Sequence, residues 1–71
     1  MVEKTIELTG TSTNSIEDAV GLAVARATAT IKGVRPEVEI ARITASQEDG
    51  EIVCWHVKIL VTFAVQEQIH E

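Results

Sequence analysis

Residues 51–65 read EIVCWHVKILVTFAV, and their pattern is the main basis of the predicted fold. Apolar side chains occupy every second position along it, at Val53, Trp55, Val57, Ile59, Val61, Phe63 and Val65. Alternation with a period of two is typical of a strand that buries one face. We therefore predict a long strand over residues 51–65 whose apolar face forms the core.

A second strand precedes this one in the sequence. The dipeptide Asp49-Gly50 predicts a two-residue hairpin turn, and residues 37–48 before it predict a strand. The apolar positions change phase between Ile40 and Ile43, which indicates a β-bulge near Ala41–Arg42. The two strands therefore form an antiparallel hairpin.

A helix is predicted to begin at Ser15 and to end at Gly33. The Ser15 hydroxyl is a suitable N-cap, and Asp18 three residues later makes a variant of the capping box. Glycine favours the conformation that ends a helix, and Pro36 lies beyond it. One apolar stripe at steps of three and four packs the helix on the sheet, through Ile16, Ala19, Val20, Ala23, Val24, Ala27 and Ile31.

The chain opens with a third predicted strand, over residues 3–9, in which Ile6 and Leu8 alternate with polar residues. Residues 10–14 are turn formers, and Gly10 without further glycines is not a phosphate-binding loop. The predicted element order is β-α-β-β. The fold class is α+β, with a three-stranded antiparallel sheet wrapped around one helix.

Length and charge restrict the possible functions. The 71 residues predict one domain, 1–71, with a polar, frayed tail over residues 65–71. The net charge of −5 argues against binding to nucleic acid or to anionic membranes. The longest apolar run is shorter than the ~18 residues of a membrane span. Residues 1–4 do not resemble a signal peptide, so the expected location is the cytoplasm.

The small size of the chain favours self-association. Domains this short usually gain stability from disulfides, a metal or oligomerisation. Cys54 is the only cysteine, so no intrachain disulfide forms. Leu60 and Ala64 make the second face of the sheet partly apolar, and we expect that face to pack against another subunit.

Segments spread over residues 2–65 resemble the dodecin family. They are Lys4–Leu8, Thr9–Ser12, Ser15, Asp18-Ala19, Ala25-Arg26-Ala27, Val34-Arg35, Asp49-Gly50 and Val57–Phe63. The resemblance lies in their order and spacing. It implies β-α-β-β subunits in a hollow homododecameric shell and a non-catalytic role in storing a small ligand. Flavin-binding members hold flavins (riboflavin, FMN or FAD) in stacked pairs at subunit interfaces and quench their photochemistry.

One feature of flavin-binding dodecins is missing. These members stack a tryptophan, early in the second strand, on the isoalloxazine ring, but residues 36–39 contain no aromatic side chain. Losing such a platform removes ~1–3 kcal/mol of stacking free energy. Glu37 and Glu39 would also repel the phosphate of FMN. The chain is therefore similar to the branch without this tryptophan, which includes members associated with calcium or other cations.

The resemblance also implies a set of cofactor-binding residues. The family's second flavin contact, often a glutamine on the third strand, corresponds to His56, preceded by Trp55 where the family usually has Tyr or Phe. Arg35 and Val38 complete the predicted set. Trp55 shares the phase of the apolar face, which favours a core or interface role by about three to one. For His56, a ligand contact and a polar position on the inner wall of the shell are equally good interpretations.

No catalytic residue or metal centre is predicted. Cys54 and His56 share a face, but two ligands are too few for structural zinc, and no third residue orients them as a nucleophile pair. Cys54 is best interpreted as a buried, inert thiol. Arg26, Arg35 and Arg42 are expected to form ion pairs across subunit contacts.

An acidic zone leaves an alternative function open. Carboxylates suit calcium or magnesium, although a solvated acidic face is the commoner explanation. The residues concerned are Glu37, Glu39, Glu48, Asp49 and Glu51. The alternative to flavin storage is therefore a shell that binds no flavin and holds divalent cations or serves a structural role.

Overall fold

The computed structural model describes residues 2–30 and 36–65. Four elements follow one another along the chain: β1 (Val2–Ser12), α1 (Ile16–Thr30), β2 (Glu37–Glu48) and β3 (Glu51–Val65). The three strands form one antiparallel sheet in the order β1-β3-β2. The predicted β-α-β-β order and the α+β class are confirmed, with β3 as the central strand.

The core lies between α1 and the central strand. Val57, Ile59 and Val61 of β3 are fully buried, which confirms the middle of the apolar face predicted from alternation. Val53, predicted to lie on the same face, is instead 40% exposed at an irregularity of the strand pairing. The helix contributes three buried alanines, Ala19, Ala23 and Ala27, with half-buried Ile16, Val20 and Val24 beside them. The predicted stripe is thus confirmed up to Ala27. Its last member, Ile31, and the predicted stop at Gly33 lie outside the described residues.

The first strand is longer than predicted. β1 continues through Gly10 to Ser12, whereas residues 10–14 were expected to form a turn. Gly10 lies directly beneath the helix: a Cβ atom there would collide with the carbonyl oxygen of Ala19 and lie 3.1 Å from the Cβ of Ala23. Glycine at this position therefore serves the close approach of α1 to the strand rather than a reversal of the chain.

Two serines fix the start of the helix. The amide of Asp18 donates to Oγ of Ser15 at 2.9 Å, which confirms the predicted N-cap. The Asp18 carboxylate accepts a 2.7 Å hydrogen bond from Oγ of Ser12, which is buried and in turn accepts from the amide of Asn14 at 2.9 Å. The end of β1 is thereby joined to the first turn of α1 by side chains.

The β2–β3 hairpin contains the predicted bulge and a second one. The register shifts between Ile40 and Arg42, which leaves Ala41 outside the pairing. A further shift beyond Ser46 does the same for Val53. At the turn, Asp49 and Gly50 have φ angles of 52° and 82°, as a type I′ hairpin requires.

The sheet has two different faces. We call the face that packs on α1 the helix side and the opposite one the outer face. Because side chains alternate, the buried residues of β3 and their partners lie on the helix side, whereas His56, Lys58 and Leu60 lie on the outer face. The bulge at Ala41 places Ile43 on the helix side together with Ile40.

The helix covers only part of the sheet. It packs against β1 and β3, whereas all twelve residues of β2 are exposed. The molecule measures 63 × 17 × 13 Å, and its radius of gyration of 15.3 Å exceeds the ~11 Å of a compact domain of this length. The chain is therefore an extended hairpin with a helix on one flank.

Candidate functional site

His56 lies on the outer face, near the middle of the sheet, and is half-buried. Its Nε2 atom is 2.9 Å from Oγ of Ser46 in a hydrogen bond. Its direct neighbours across the sheet are Thr11 on β1 and Thr44 on β2. The imidazole is thus held by one hydroxyl group and lies in a row of the sheet between two threonines. The pairing leaves ring atoms that can donate, accept or stack.

The next outer-face position of β3 after His56 carries a charged side chain, Lys58. Lys58 lies opposite Thr9 on one side and Arg42 on the other. Its Nζ atom is 3.5 Å from the Glu7 carboxylate, and this is the one ion pair between residues of the described ranges. Because both side chains are more than a third exposed, the pair contributes little to stability. The ion pairs expected for Arg26 and Arg42 across subunits remain a prediction.

Trp55 and Val38 lie on the helix side. Trp55 is half-buried between Ser12 and Ala45, whereas Val38 is opposite Val61 and 39% exposed. Six positions of β3 separate Trp55 from Val61, which corresponds to ~20 Å along a strand. The structure therefore does not bring these two predicted residues together within one subunit.

The predicted flavin-binding set is divided between two faces. His56 is on the outer face, Trp55 and Val38 are on the helix side, and Arg35 lies outside the described residues. No pocket of a single subunit can contact both His56 and Val38, because the sheet lies between them. If these residues share a ligand, different subunits must supply them.

Cys54 is half-buried, and its thiol is 3.8 Å from the carbonyl oxygen of Trp55. It borders an open depression where β1 meets α1, and polar side chains form most of the lining. The lining residues are Thr11, Ser12, Thr13, Asn14, Asp18, Leu22 and Cys54. Nothing in the sequence pattern predicts this depression, because Ser12 and Asn14 lie in the predicted turn. The buried Ser12 hydroxyl already has partners there, so the depression holds no unsatisfied polar group that demands a ligand.

The acidic zone does not assemble into a metal centre within the described ranges. Glu37 and Glu39 lie on the outer face opposite Thr62 and Leu60, and the other carboxylates surround the hairpin turn. Residues 2–30 and 36–65 contain no cluster of three or more His, Cys, Asp or Glu side chains suited to a metal ion. In the same ranges, α1 is too short and too polar to cross a bilayer.

Sequence reasoning missed the exposed apolar residues on the helix side of β2. Val38, Ile40 and Ile43 are 39%, 51% and 46% exposed. A helix is ~10 Å wide and strands are spaced ~4.8 Å apart, so one helix covers about two strands. The predicted combination of one helix and three strands could therefore have indicated that the helix leaves one strand uncovered.

Comparison with known proteins places these features in a family. A sequence profile of the Dodecin family matches residues 2–66. A mutant of the Thermus thermophilus dodecin is 31% identical, with a TM-score of 0.83 over 94% of this chain and 97% of that chain. The Streptomyces coelicolor dodecin is 28% identical, with a TM-score of 0.82 over 94% of each chain. No curated protein matches the sequence.

Proposed function

Because this chain belongs to the dodecin family, we propose that it is a non-catalytic protein whose subunits form a homododecameric shell and bind flavin. Membership in the family supports the coarser statement, that the chain is a small ligand-binding protein without catalytic activity. The choice of flavin as the ligand and of twelve subunits is the finer part of the proposal.

The observation that carries the flavin proposal is the environment of His56. Its imidazole is anchored to Ser46 at 2.9 Å and lies between Thr11 and Thr44, with no charged group in that row of the sheet. The polar edge of an isoalloxazine ring presents carbonyl acceptors and one N–H donor. A histidine among hydroxyls offers both donors and acceptors to such an edge.

The stacking platform must come from elsewhere than residues 36–39. His56 itself has an aromatic ring, and Trp55 of another subunit supplies a larger one. Arg35 and Val38 remain in the proposed set as residues of a neighbouring subunit. Because the usual tryptophan is missing, we expect weaker binding than that of a tryptophan-containing site, by ~1–3 kcal/mol or roughly 5- to 150-fold.

A riboflavin titration of the purified protein tests the proposal. Saturable quenching of flavin fluorescence is expected, and His56→Ala should weaken it at least about tenfold because a hydrogen-bonding partner is lost. Ser46→Ala, which leaves the ring but removes its anchor, should give an intermediate loss. Thr62→Ala is the matched control, because Thr62 is on the same face of β3 but six positions away.

An absence of quenching at tens of micromolar riboflavin would contradict flavin storage. The better supported function would then be the alternative, a shell that holds divalent cations or has a structural role. A chelator that lowers the melting temperature would identify the cation-binding form, because a ligand that binds only the folded state stabilises it.

A further inference from the structure

Two cationic side chains lie directly opposite each other on the outer face of the sheet. Lys58 of β3 is paired with Arg42 of β2. Like charges at opposite positions of an antiparallel pair destabilise it. The chain has 11 acidic and 6 basic residues, so a carboxylate opposite one of these cations would be the more ordinary combination. An anion that contacts both side chains would remove the repulsion between them.

The β-bulge at Ala41 creates this cationic pair. The register shifts between Ile40 and Arg42. In a regular ladder continued from Ile40, Ala41 would lie opposite Lys58, and Arg42 would lie opposite the buried Val57. The extra residue instead places Arg42 on the outer face. Bulges near functional sites commonly redirect a side chain in this way.

Arg42 forms no ion pair with any residue that the structure describes. The pair between Lys58 and Glu7, at 3.5 Å, is the one ion pair within residues 2–30 and 36–65. Glu39, on the same strand as Arg42, lies opposite Leu60 in the neighbouring row of the sheet. The Lys58 side chain is 37% exposed, which leaves its ammonium group accessible to a second partner.

Towards the hairpin turn, the cationic pair is bordered by neutral polar side chains. The next row of the outer face contains Thr11, His56 and Thr44, and no carboxylate. Successive positions on one face are ~7 Å apart along a strand, and neighbouring strands are ~4.8 Å apart. An anion between the two rows is therefore within reach of long cationic side chains and of hydroxyl groups. We call Thr9, Arg42, Thr44 and Lys58 the cationic patch.

We propose that the cationic patch binds a phosphate group, either as inorganic phosphate or as the phosphate ester of a small ligand. A guanidinium donates two parallel hydrogen bonds to phosphate oxygens, and an ammonium adds a compact charge. The tetrahedral group has further oxygens for a threonine hydroxyl, whereas a carboxylate has only two, in one plane. The net charge of −5 disfavours a polyanion, so the ligand is small. The inference does not rest on the proposed function, because riboflavin carries no phosphate.

A titration of the purified protein with inorganic phosphate tests the site. Chloride keeps the ionic strength constant, because screening alone changes surface electrostatics. We expect broadening of the phosphorus-31 resonance and a saturable rise in melting temperature. Arg42→Gln and Lys58→Gln should each weaken binding at least about tenfold, because charge-assisted hydrogen bonds are lost. The control is Lys4→Gln, an exposed cation on the helix side opposite Phe63, which should leave phosphate binding unchanged.

The Arg42→Gln variant also provides a change of sign. In chloride alone it should melt at a higher temperature than the unmodified chain, because it removes a contact between like charges. In saturating phosphate it should melt at a lower temperature, because it loses the anion. Lower melting temperatures in both solutions would indicate that Arg42 pairs with a carboxylate of another subunit, and would overturn the proposal. A melting temperature of the unmodified chain that does not depend on phosphate would overturn it as well.

Two flavins distinguish the sources of the phosphate group. If it belongs to the bound ligand, Lys58→Gln should weaken the binding of FMN and leave the quenching of riboflavin unchanged. If the site takes the free anion, the variant should bind both flavins as the unmodified chain does, and inorganic phosphate should still bind in saturating riboflavin. Riboflavin quenching without any response to phosphate or FMN would refute this inference alone. A phosphate response without riboflavin quenching would refute the flavin proposal alone.

Discussion

Gly10 is the residue at which the sheet and the helix come closest. Gly10→Ala places a methyl group against the carbonyl oxygen of Ala19, so the helix must move away from β1. We expect a loss of ~1–3 kcal/mol in the free energy of unfolding, which urea denaturation would measure. The matched control is Gly21→Ala in the same helix, where no atom lies within 4 Å of the new methyl group. That variant should gain ~0.5–1 kcal/mol, and a gain at Gly10 as well would contradict the close packing described here.

Ser15 ends the loop before the helix by accepting a hydrogen bond from the Asp18 amide. Ser15→Ala removes this acceptor, and we expect a cost of ~1 kcal/mol in thermal unfolding experiments. Ser15→Asp should retain most of the stability because a carboxylate also caps the first turn and complements the helix dipole. Equal losses in both variants would show that the hydroxyl contributes through some contact other than capping.

At the scale of elements, alternation and turn chemistry predicted the hairpin well. The alternation of apolar residues predicts the bounds of β2 and β3 and the bulge at Ala41, and the Asp49-Gly50 dipeptide predicts the turn. Both features are local in the sequence. The predicted end of β1 was wrong because a glycine is typical both of turns and of positions where a helix packs closely on a strand. Only the position of α1 decides between them, and that position is a tertiary property.

The Ala41 bulge allows a prediction about register. Deleting Ala41 should join Ile40 and Arg42 into a regular ladder and leave every other residue on its present face. Deleting Thr44 should instead transfer Ile40 and Ile43 to the outer face, because the turn fixes the register from the other end. We therefore expect the first deletion to preserve the melting temperature and the second to lower it, because it places Arg42 opposite buried Val57 on the helix side. Equal behaviour of the two deletions would contradict the register.

At the scale of the whole molecule, the sequence predicted the sides of the sheet but not what covers them. The alternation of residues 51–65 places Trp55 and His56 on opposite faces, and the structure agrees. Whether a given face is covered by α1, by a ligand or by another subunit depends on the lateral position of the helix. The predicted site at Arg35, Val38, Trp55 and His56 therefore stays a prediction about several subunits, which one chain cannot complete.

The extended shape also defines what one subunit lacks. Six residues form the buried cluster, and only Val57, Ile59 and Val61 among them are large. Burial of one such side chain contributes ~1.5–3 kcal/mol, so this cluster is modest for a chain of 71 residues. We expect the melting temperature to rise with protein concentration, because assembly stabilises the folded subunit by mass action. A melting temperature independent of concentration between one and one hundred micromolar, roughly, would contradict this coupling.

The pairing of Val2 with Val65 has a consequence for the timing of biosynthesis. A ribosome adds ~5–20 residues per second, so roughly 3–12 s pass between the two partners. The β2–β3 hairpin can close in ~1–10 μs once both of its strands are available. β1 and α1, in contrast, expose their apolar side chains until β3 has been synthesised. The nascent chain is therefore most prone to aggregation and most accessible to chaperones during these seconds, and the synthesis of β3 ends that period.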